Sequence, residues 1–483
     1  MNRRHRAASS SDRHDHVLLF THGHSELAED NSTTAYTFTE ATKTMKVTVS
    51  IADLPSISYF HVSCPDLQDS PFRQRSEILW SSEDLVLFTV FLAHPAPMEY
   101  FIYRAGREPS LDLLSGAGEY FMREKVDPSQ LAVVPDGAGG NFVLAAFDWD
   151  WLSARCYLHV FRSKRRSWAK EHLAPDFPSW MFTNRPGFCP QNVIVVRGGA
   201  LGYVDLWKGI LLCNVLEEPV TTRFIPLPNP LPGNRRGYNN GMSERASWVR
   251  LIRDVACTDG LTITCVEMED LYRFVARTPD GDVLHDSDID PSEEAGERRW
   301  VGWRLVAWHR EVSWDYWRKG CVLHVDELGT VSLPRHPART EPLPPNGRKP
   351  SSSSSRPTKL PLSHVLVFCP ILCGEGVVCF LSKRDSYRDH RAWIITVDMR
   401  KKAVRGLTPY YDETPMTFNL TYLSCALKKY LKSESDGGRS LVVEDTRSHG
   451  KRHRLSLENT SSHSSQPKRT LRGSTMEQRK RYG

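Results

Sequence analysis

The stretch from Val193 to Leu212 limits the fold of this chain more than any other. The run Val193-Ile194-Val195-Val196 leads into Arg197-Gly198-Gly199, and Ala200 to Val204 leads into Asp205-Leu206-Trp207-Lys208 ahead of Gly209 to Leu212. Short apolar runs on either side of glycine-rich and Asp/Lys-Gly turns are how adjacent antiparallel strands read when only tight turns part them. If Gly202 to Leu212 is a core hairpin, Trp207→Ala should cost roughly 3–5 kcal/mol through the cavity it leaves.

Helical periodicity is scarce elsewhere, and strand-like runs are frequent. Val17 to Phe20, Val47 to Ile51, Ile57 to Val62, Asp84 to Leu92, Tyr100 to Tyr103, Phe142 to Phe147 and Tyr157 to Phe161 are short and bounded by turn formers. The same holds for Leu261 to Glu267, Tyr272 to Ala276, Cys321 to Val325, Val365 to Phe368, Val377 to Leu381 and Trp393 to Val397. Landmarks at Leu111, Trp168, Pro226, Asp280, Leu333 and Thr408 recur at intervals in the fifties. The last interval is longer and holds Pro344-Pro345-Asn346-Gly347 and the serines Ser351 to Ser355, a surface insertion spanning 338–360. Such a recurrence fits one four-stranded blade with its loops, so the expectation is an all-β, β-propeller-like closed array of about six antiparallel blades, with packed β-sandwiches as the alternative. The expected organisation is an N-terminal segment 1–16 without order, a single all-β domain 17–431 and a basic tail 432–483 without order.

Composition narrows the class. Of the 483 residues 40% are hydrophobic, ample for a large core, yet no run approaches the roughly eighteen apolar residues of a membrane-spanning helix. The segment Met1 to His16 carries Arg3, Arg4 and Arg6 but then Asp12 and Asp15, which argues against a secretory signal. Eleven cysteines are scattered, mostly in apolar runs, the pattern of buried reduced thiols in an intracellular protein. The net charge of +6 belongs to the end of the chain: 432–483 holds twelve Lys/Arg against six Asp/Glu. The body is electrically balanced, which argues against a nucleic-acid-binding face. The tail clusters Lys451-Arg452-His453-Arg454, Lys468-Arg469 and Arg479-Lys480-Arg481 suit weak polyanion contact or a nuclear import receptor.

Trp300, Trp303, Trp308, Trp314 and Trp317 form a dense aromatic group, read as filling between packed sheets in preference to a stacking platform. With these in view the chain resembles a known family. Gly202 to Leu212, Ser247-Trp248-Val249-Arg250 to Asp254-Val255-Ala256, Ile263 to Met268, Trp303 to Trp308, Trp314-x-x-Trp317-Arg318-Lys319-Gly320 and Arg391-Ala392-Trp393 to Asp398 are similar to successive blocks of a plant family, expanded in grasses, called domain of unknown function 1618. Upstream, Val17 to Phe20, Asn31 to Ala35, Tyr100 to Gly106 and Leu158 to Ser163 resemble it too. The resemblance implies no catalytic residues and no function.

Motifs for chemistry are few. Gly-x-Ser-x-Gly, the Walker glycine loop and His-Glu-x-x-His are not found in the sequence. Gly137-Ala138-Gly139-Gly140-Asn141 precedes a strand, where a phosphate cradle needs a helix, and reads as a turn. Asp286, Asp288, Asp290, Glu294 and Glu297 approach calcium-loop spacing, but Pro291 stands where the sharp turn needs glycine. His14, His16, His22 and His24 lack a fixed frame, and Cys369, Cys373 and Cys379 lack a histidine partner. No catalytic, cofactor-binding or metal residue is assigned, and no cofactor is expected. The favoured reading is a noncatalytic protein-interaction scaffold with an unidentified protein partner, no membrane contact, and a cytoplasmic and nuclear range set by the tail. The alternative is an enzyme or small-ligand receptor with a site in the propeller channel, and convergent polar groups there would favour it.

Overall fold

Alternate side chains of the strands Ala200–Asp205 and Gly209–Asn214 enter two different cores. Leu201, Tyr203, Leu211 and Cys213 join one apolar cluster, whereas Ala200, Val204, Ile210 and Leu212 join another. Successive strand residues point to opposite faces, so a sheet sandwiched between two others must be apolar on both. That is why the sequence shows unbroken apolar runs here in place of in-out alternation. Gly202 leaves room for side chains of the two adjacent strands of its own sheet to fold over it: a Cβ there would lie 2.8 Å from Ile194 Cγ1 and 3.0 Å from Ile210 Cγ2.

This computed structural model describes residues 15–23, 28–67, 75–92, 98–137, 139–150, 153–182, 187–235, 249–275, 297–334, 359–384, 389–411 and 422–431. The chain divides after Ser433, and every described residue belongs to the part before it. Six small sheets form a six-bladed β-propeller. Blade 1 contains β1 (Val17–Phe20), β2 (Ala35–Phe38), β3 (Thr44–Ser50), β4 (Ile57–Ser63) and, from the far end of the chain, β27 (Tyr422–Cys425). Blade 2 is β5 (Arg75–Ser82), β6 (Leu85–Phe91), β7 (Glu99–Arg104) and β8 (Ser110–Leu113). The helix α1 (Ala117–Glu124) leads to blade 3: β9 (Leu131–Pro135), β10 (Phe142–Asp150), β11 (Arg155–Arg162) and β12 (Ser167–Leu173). Blade 4 is β13 (Asn192–Val196), β14 (Ala200–Asp205), β15 (Gly209–Asn214) and β16 (Thr221–Pro226). Blade 5 is β17 (Arg253–Cys257), β18 (Thr262–Val275), β19 (Glu297–Glu311) and β20 (Arg318–His324). A small pair, β21 (Thr330–Ser332) with β22 (Lys359–Pro361), precedes blade 6: β23 (Leu366–Leu372), β24 (Val377–Lys383), β25 (Arg391–Asp398) and β26 (Ala403–Tyr411).

The inner strands β27, β5, β9, β13, β17 and β23 neighbour one another in a ring around the channel. The ring closes in blade 1, where β1 pairs antiparallel with β27 from Val17↔Cys425 to Phe20↔Tyr422. On its other side β1 meets β4 in a short parallel pairing, Leu18↔Ile57 and Leu19↔Ser58. The other five blades are antiparallel throughout. Closure of this kind leaves no free inner edge and staples one end of the described chain to the other.

The six-bladed expectation holds, and its details need correcting. Leu261 to Glu267 and Tyr272 to Ala276 are expected as separate strands, but Thr262–Val275 is one continuous strand. Glu269, between them, is the buried partner of Arg304 and not a turn residue, and Glu267, at the end of the first run, is the buried partner of Arg253. The landmarks Leu111, Trp168, Pro226 and Thr408 fall on the outermost strands of blades 2, 3, 4 and 6. Leu333 falls just after β21, and Asp280 lies between β18 and β19, outside the described residues, so it marks the middle of a blade and not its end. The serine run 351–355 and the tail clusters also lie outside the described residues.

Candidate binding face at the channel mouth

Strand direction sorts the loops into two faces. The inner strands begin at one end of the channel, here the front, and antiparallel pairing returns the second strand of each blade to that end. The front therefore carries the turns between second and third strands and the connections between blades. In blades 4 and 5 it includes the turn Leu206–Lys208, the connection 227–235 and the turn Val249–Ile252.

Buried charges fix these loops from below. Arg253 on β17 and Glu267 on β18 are both fully buried and lie 2.9 Å apart. The guanidinium also donates to the Leu206 carbonyl at 2.9 Å and the Pro228 carbonyl at 2.6 Å. Glu267 accepts from the Leu231 backbone N–H at 2.9 Å and the Asn234 side-chain amide at 2.7 Å. A buried ion pair must satisfy its remaining donors and acceptors to offset desolvation, and this one does so by gripping two loops. One step along β18, Glu269 accepts from Arg304 of β19 at 2.6 Å and from the Gly233 N–H. In blade 4, Asp205 accepts the N–H groups of Trp207, Lys208 and Cys189 at 3.0, 3.2 and 3.1 Å. Burial raises the Asp205 carboxyl pKa against the opposing pull of Lys208 and those N–H groups. The Lys208 ammonium donates to the Gly187 carbonyl.

A column of polar groups follows the channel wall at blades 5, 6 and 1. Arg250 stands in the turn ahead of β17 and faces Asp254 and Cys369. Asp254, on the inner strand itself, takes the Leu372 N–H of blade 6 at 2.9 Å. Both keep partial solvent access although protein surrounds them, the condition of groups on a narrow channel. Burial pushes the Asp254 carboxyl up to about 6 and lowers the Arg250 guanidinium. Cys373 lies beside Asp254 and meets the hydroxyl of Ser424, which in turn contacts His16 Nδ1 at 3.2 Å.

Above this floor the front face shows aromatic surface. Beyond the reach of β17 and β20, β18 and β19 continue as a two-stranded ribbon from Asp270↔Trp303 to Val275↔Glu297. The ribbon carries exposed Tyr272 and Val301. Trp180, 43% exposed, lies on the connection between blades 3 and 4.

The residues singled out in the sequence are distributed as follows. Trp207 is only half-buried in its turn, with the Arg253 guanidinium 5.9 Å over its ring, so the cavity expected on its truncation is smaller than for a core residue. Trp303 is fully buried, Trp300, Trp308 and Trp317 pack partly against the inter-blade clusters, and Trp314 stacks on exposed Tyr316 at 5.1 Å. The filling reading thus fits Trp303 best and Trp314 least. Asp136 donates its N–H to Asn141 across a turn with Gly137, Gly139 and Gly140 at positive φ. His16 and His22 flank the four residues of β1, a strand that holds them on the order of 20 Å apart; His14 and His24 lie outside the described residues. Cys373 and Cys379 sit 3.4 Å apart by sulfur, with Thr396 Oγ1 3.3 Å from Cys379, while Cys369 lies on the bulge of β23. Among the described residues no group of three or more His, Cys, Asp or Glu is arranged to hold a metal ion. The loop Asp286 to Glu294 is outside the described residues, as is the Glu297 side chain. Sequence reading passed over Arg250, Asp254, Arg253 and Glu267 as a constellation, although charges inside apolar strand runs were the available signal.

The fold is that of a six-bladed β-propeller, and comparison with known proteins adds a family likeness over part of it. A family model described as "Protein of unknown function (DUF1618)" matches residues 203–379, from β14 through β24, the portion that includes Arg250, Arg253, Asp254 and Glu267. No curated protein matches the chain. Fourteen chains of solved structures match, among them the crystal structure of Porphyromonas gingivalis dipeptidyl peptidase 4. That match has 9% identity and a TM-score of 0.25, and it covers 69% of this chain and 40% of that one. The chain thus spans well under half the length of that protein, and the likeness is too loose to bear on its chemistry. Among the described residues no helix is long and apolar enough to cross a membrane.

Proposed function

We propose that the protein is a noncatalytic interaction scaffold whose front face, over blades 3 to 5, receives a protein partner. The observation that supports this reading is the combination of exposed aromatics with fixed loops. Trp180 and Tyr272 are 43% and 48% exposed on a face whose neighbouring loops are held by the Arg253–Glu267 and Glu269–Arg304 pairs. Large aromatic side chains on a preorganised surface supply most of the energy in a protein interface, because little entropy is lost in ordering them. The basic tail adds weak polyanion contact and access to the nucleus in this reading.

The test is affinity purification with cross-linking from native tissue, comparing the parent, a Trp180→Ala/Tyr272→Ala double variant, and Tyr316→Ala on the opposite face. Partners kept by the parent and by Tyr316→Ala but lost by the double variant are the expected result. Equal retention by all three would move the interface elsewhere.

A further inference from the structure

The Arg250 guanidinium is held in the turn before β17, keeps partial solvent access, and makes no hydrogen bond or ion pair among the described residues. Its charged neighbour is Asp254, which is itself tethered through the Leu372 N–H at 2.9 Å. An arginine enclosed in this way has lost much of its hydration, and its planar fork of donors is matched by a carboxylate. We propose that the channel wall between blades 5 and 6 binds a small organic carboxylate, clasped by Arg250 beside the tethered Asp254. This site lies in the channel and is independent of a protein partner on the front face.

Charge determines which form of the site binds. With Asp254 ionised, its negative charge cancels that of Arg250 and repels an incoming anion. With Asp254 protonated, Arg250 is an uncompensated cation and the carboxyl O–H becomes a donor to the ligand. The other groups facing Asp254 are the thiols of Cys265 on β18 and Cys373 at the end of β23, and Cys369 faces Arg250. Burial pushes the Cys265 thiol up to about 12 and the Cys373 thiol well above its ordinary value, so both stay neutral and Asp254, at about 6, is the group that titrates. Carboxylate binding is therefore accompanied by uptake of a proton, and affinity rises as pH falls through about 6.

The experiment is calorimetric titration of the full chain with sodium pyruvate at pH 5.5 and pH 7.5, with inorganic phosphate and chloride titrated in parallel. Saturable pyruvate binding that is several-fold tighter at the lower pH is expected, with phosphate and chloride weaker. Arg250→Gln should abolish it, and Asp254→Asn should retain binding while flattening the pH dependence. Melting curves confirm that each variant is folded, and if Arg250→Gln does not fold, Asp254→Asn still decides through the pH profile. No saturable pyruvate binding at either pH, unchanged binding in folded Arg250→Gln, preference for phosphate, or an unaltered pH profile in Asp254→Asn would each overturn the proposal.

Discussion

Blades 4 and 5 share one topology and are built from different materials. In blade 4 the middle strands β14 and β15 are apolar on both faces, and the buried charges are confined to the Asp205–Lys208 turn. In blade 5 the inner strand β17 and its neighbour β18 bury Arg253, Glu267 and Glu269 within the sheet, and Asp254 reaches the channel. Both solve the problem of filling the seams between sheets, but blade 5 adds an ion pair inside the sheet, between Arg253 and Glu267, that holds the loops on its blade 4 side. Apolar packing is nondirectional and tolerates repacking, whereas a buried ion pair with every donor satisfied fixes the position of each group it touches. Blade 4 teaches how the propeller is filled, and blade 5 how its front face is positioned.

The largest effect that would test this contrast is loss of one partner of the buried pair. Arg253→Ala leaves Glu267 buried without its cation and strips the Leu206 and Pro228 carbonyls of their donor, so urea unfolding should show a loss of about 3–5 kcal/mol. Removing both charges, as Arg253→Met with Glu267→Leu, should recover part of that loss while loosening the loops, visible as faster amide exchange at Leu231. A double variant with unchanged exchange at Leu231 would show that the pair is not what positions the loop.

Trp207→Ala is expected to cost about 1–3 kcal/mol, less than a core tryptophan, because the ring is only partly buried and its turn is separately held by Asp205. A loss beyond that range in thermal or urea unfolding would place the ring in the core after all.

Asp254→Asn sharpens the comparison from the opposite side. The native carboxyl is raised from the ordinary Asp range to about 6, so the folded state binds more protons than the unfolded state between the two values. Stability of the parent must then fall as pH rises through that window. Replacement by Asn, which still accepts from the Leu372 N–H, should raise stability at pH 7.5 by about 1–2 kcal/mol and change it little at pH 4. Denaturation at both pH values reads the difference, and equal effects at the two would contradict the assigned environment of Asp254.

The smallest effect belongs to blade 4. The Tyr203 hydroxyl is buried with no hydrogen-bond partner among the described residues, so Tyr203→Phe should be neutral or stabilise by up to ~1 kcal/mol, as measured by the melting midpoint. A clear loss would reveal a polar contact to that hydroxyl.

The all-β class and the approximate number of blades were legible in the sequence because each strand carries its own signal: β-branched and aromatic runs stopped by Gly, Pro, Asp and Ser. Val17–Phe20, Phe142–Asp150 and Val377–Lys383 could be located to within a few residues for that reason. The outer strand Ser167–Leu173 was marked only by its first two residues, since its exposed Ala169, Lys170 and His172 break any apolar run. Thr262–Val275 was divided because Glu269 and Asp270 interrupt its apolar run, and Arg304, which pairs with Glu269, lies far along the chain. The polar groups in the channel were present in the sequence without being legible as a set.

Sequence alone determined what is decided locally: short strands apolar on both faces, tight turns at Gly198-Gly199 and Asp205 to Lys208, and charge concentrated beyond residue 431. Only the tertiary structure decided that Val17–Phe20 would pair with Tyr422–Cys425 across the length of the described chain. It likewise brought Arg250 and Asp254 of blade 5 to Leu372 of blade 6 and set Arg253 under the turns of blade 4. The physical reason is that strand propensity and turn geometry act over a few residues, while ring closure and the pairing of buried charges join residues tens to hundreds of positions apart, for which one sequence carries no local signal.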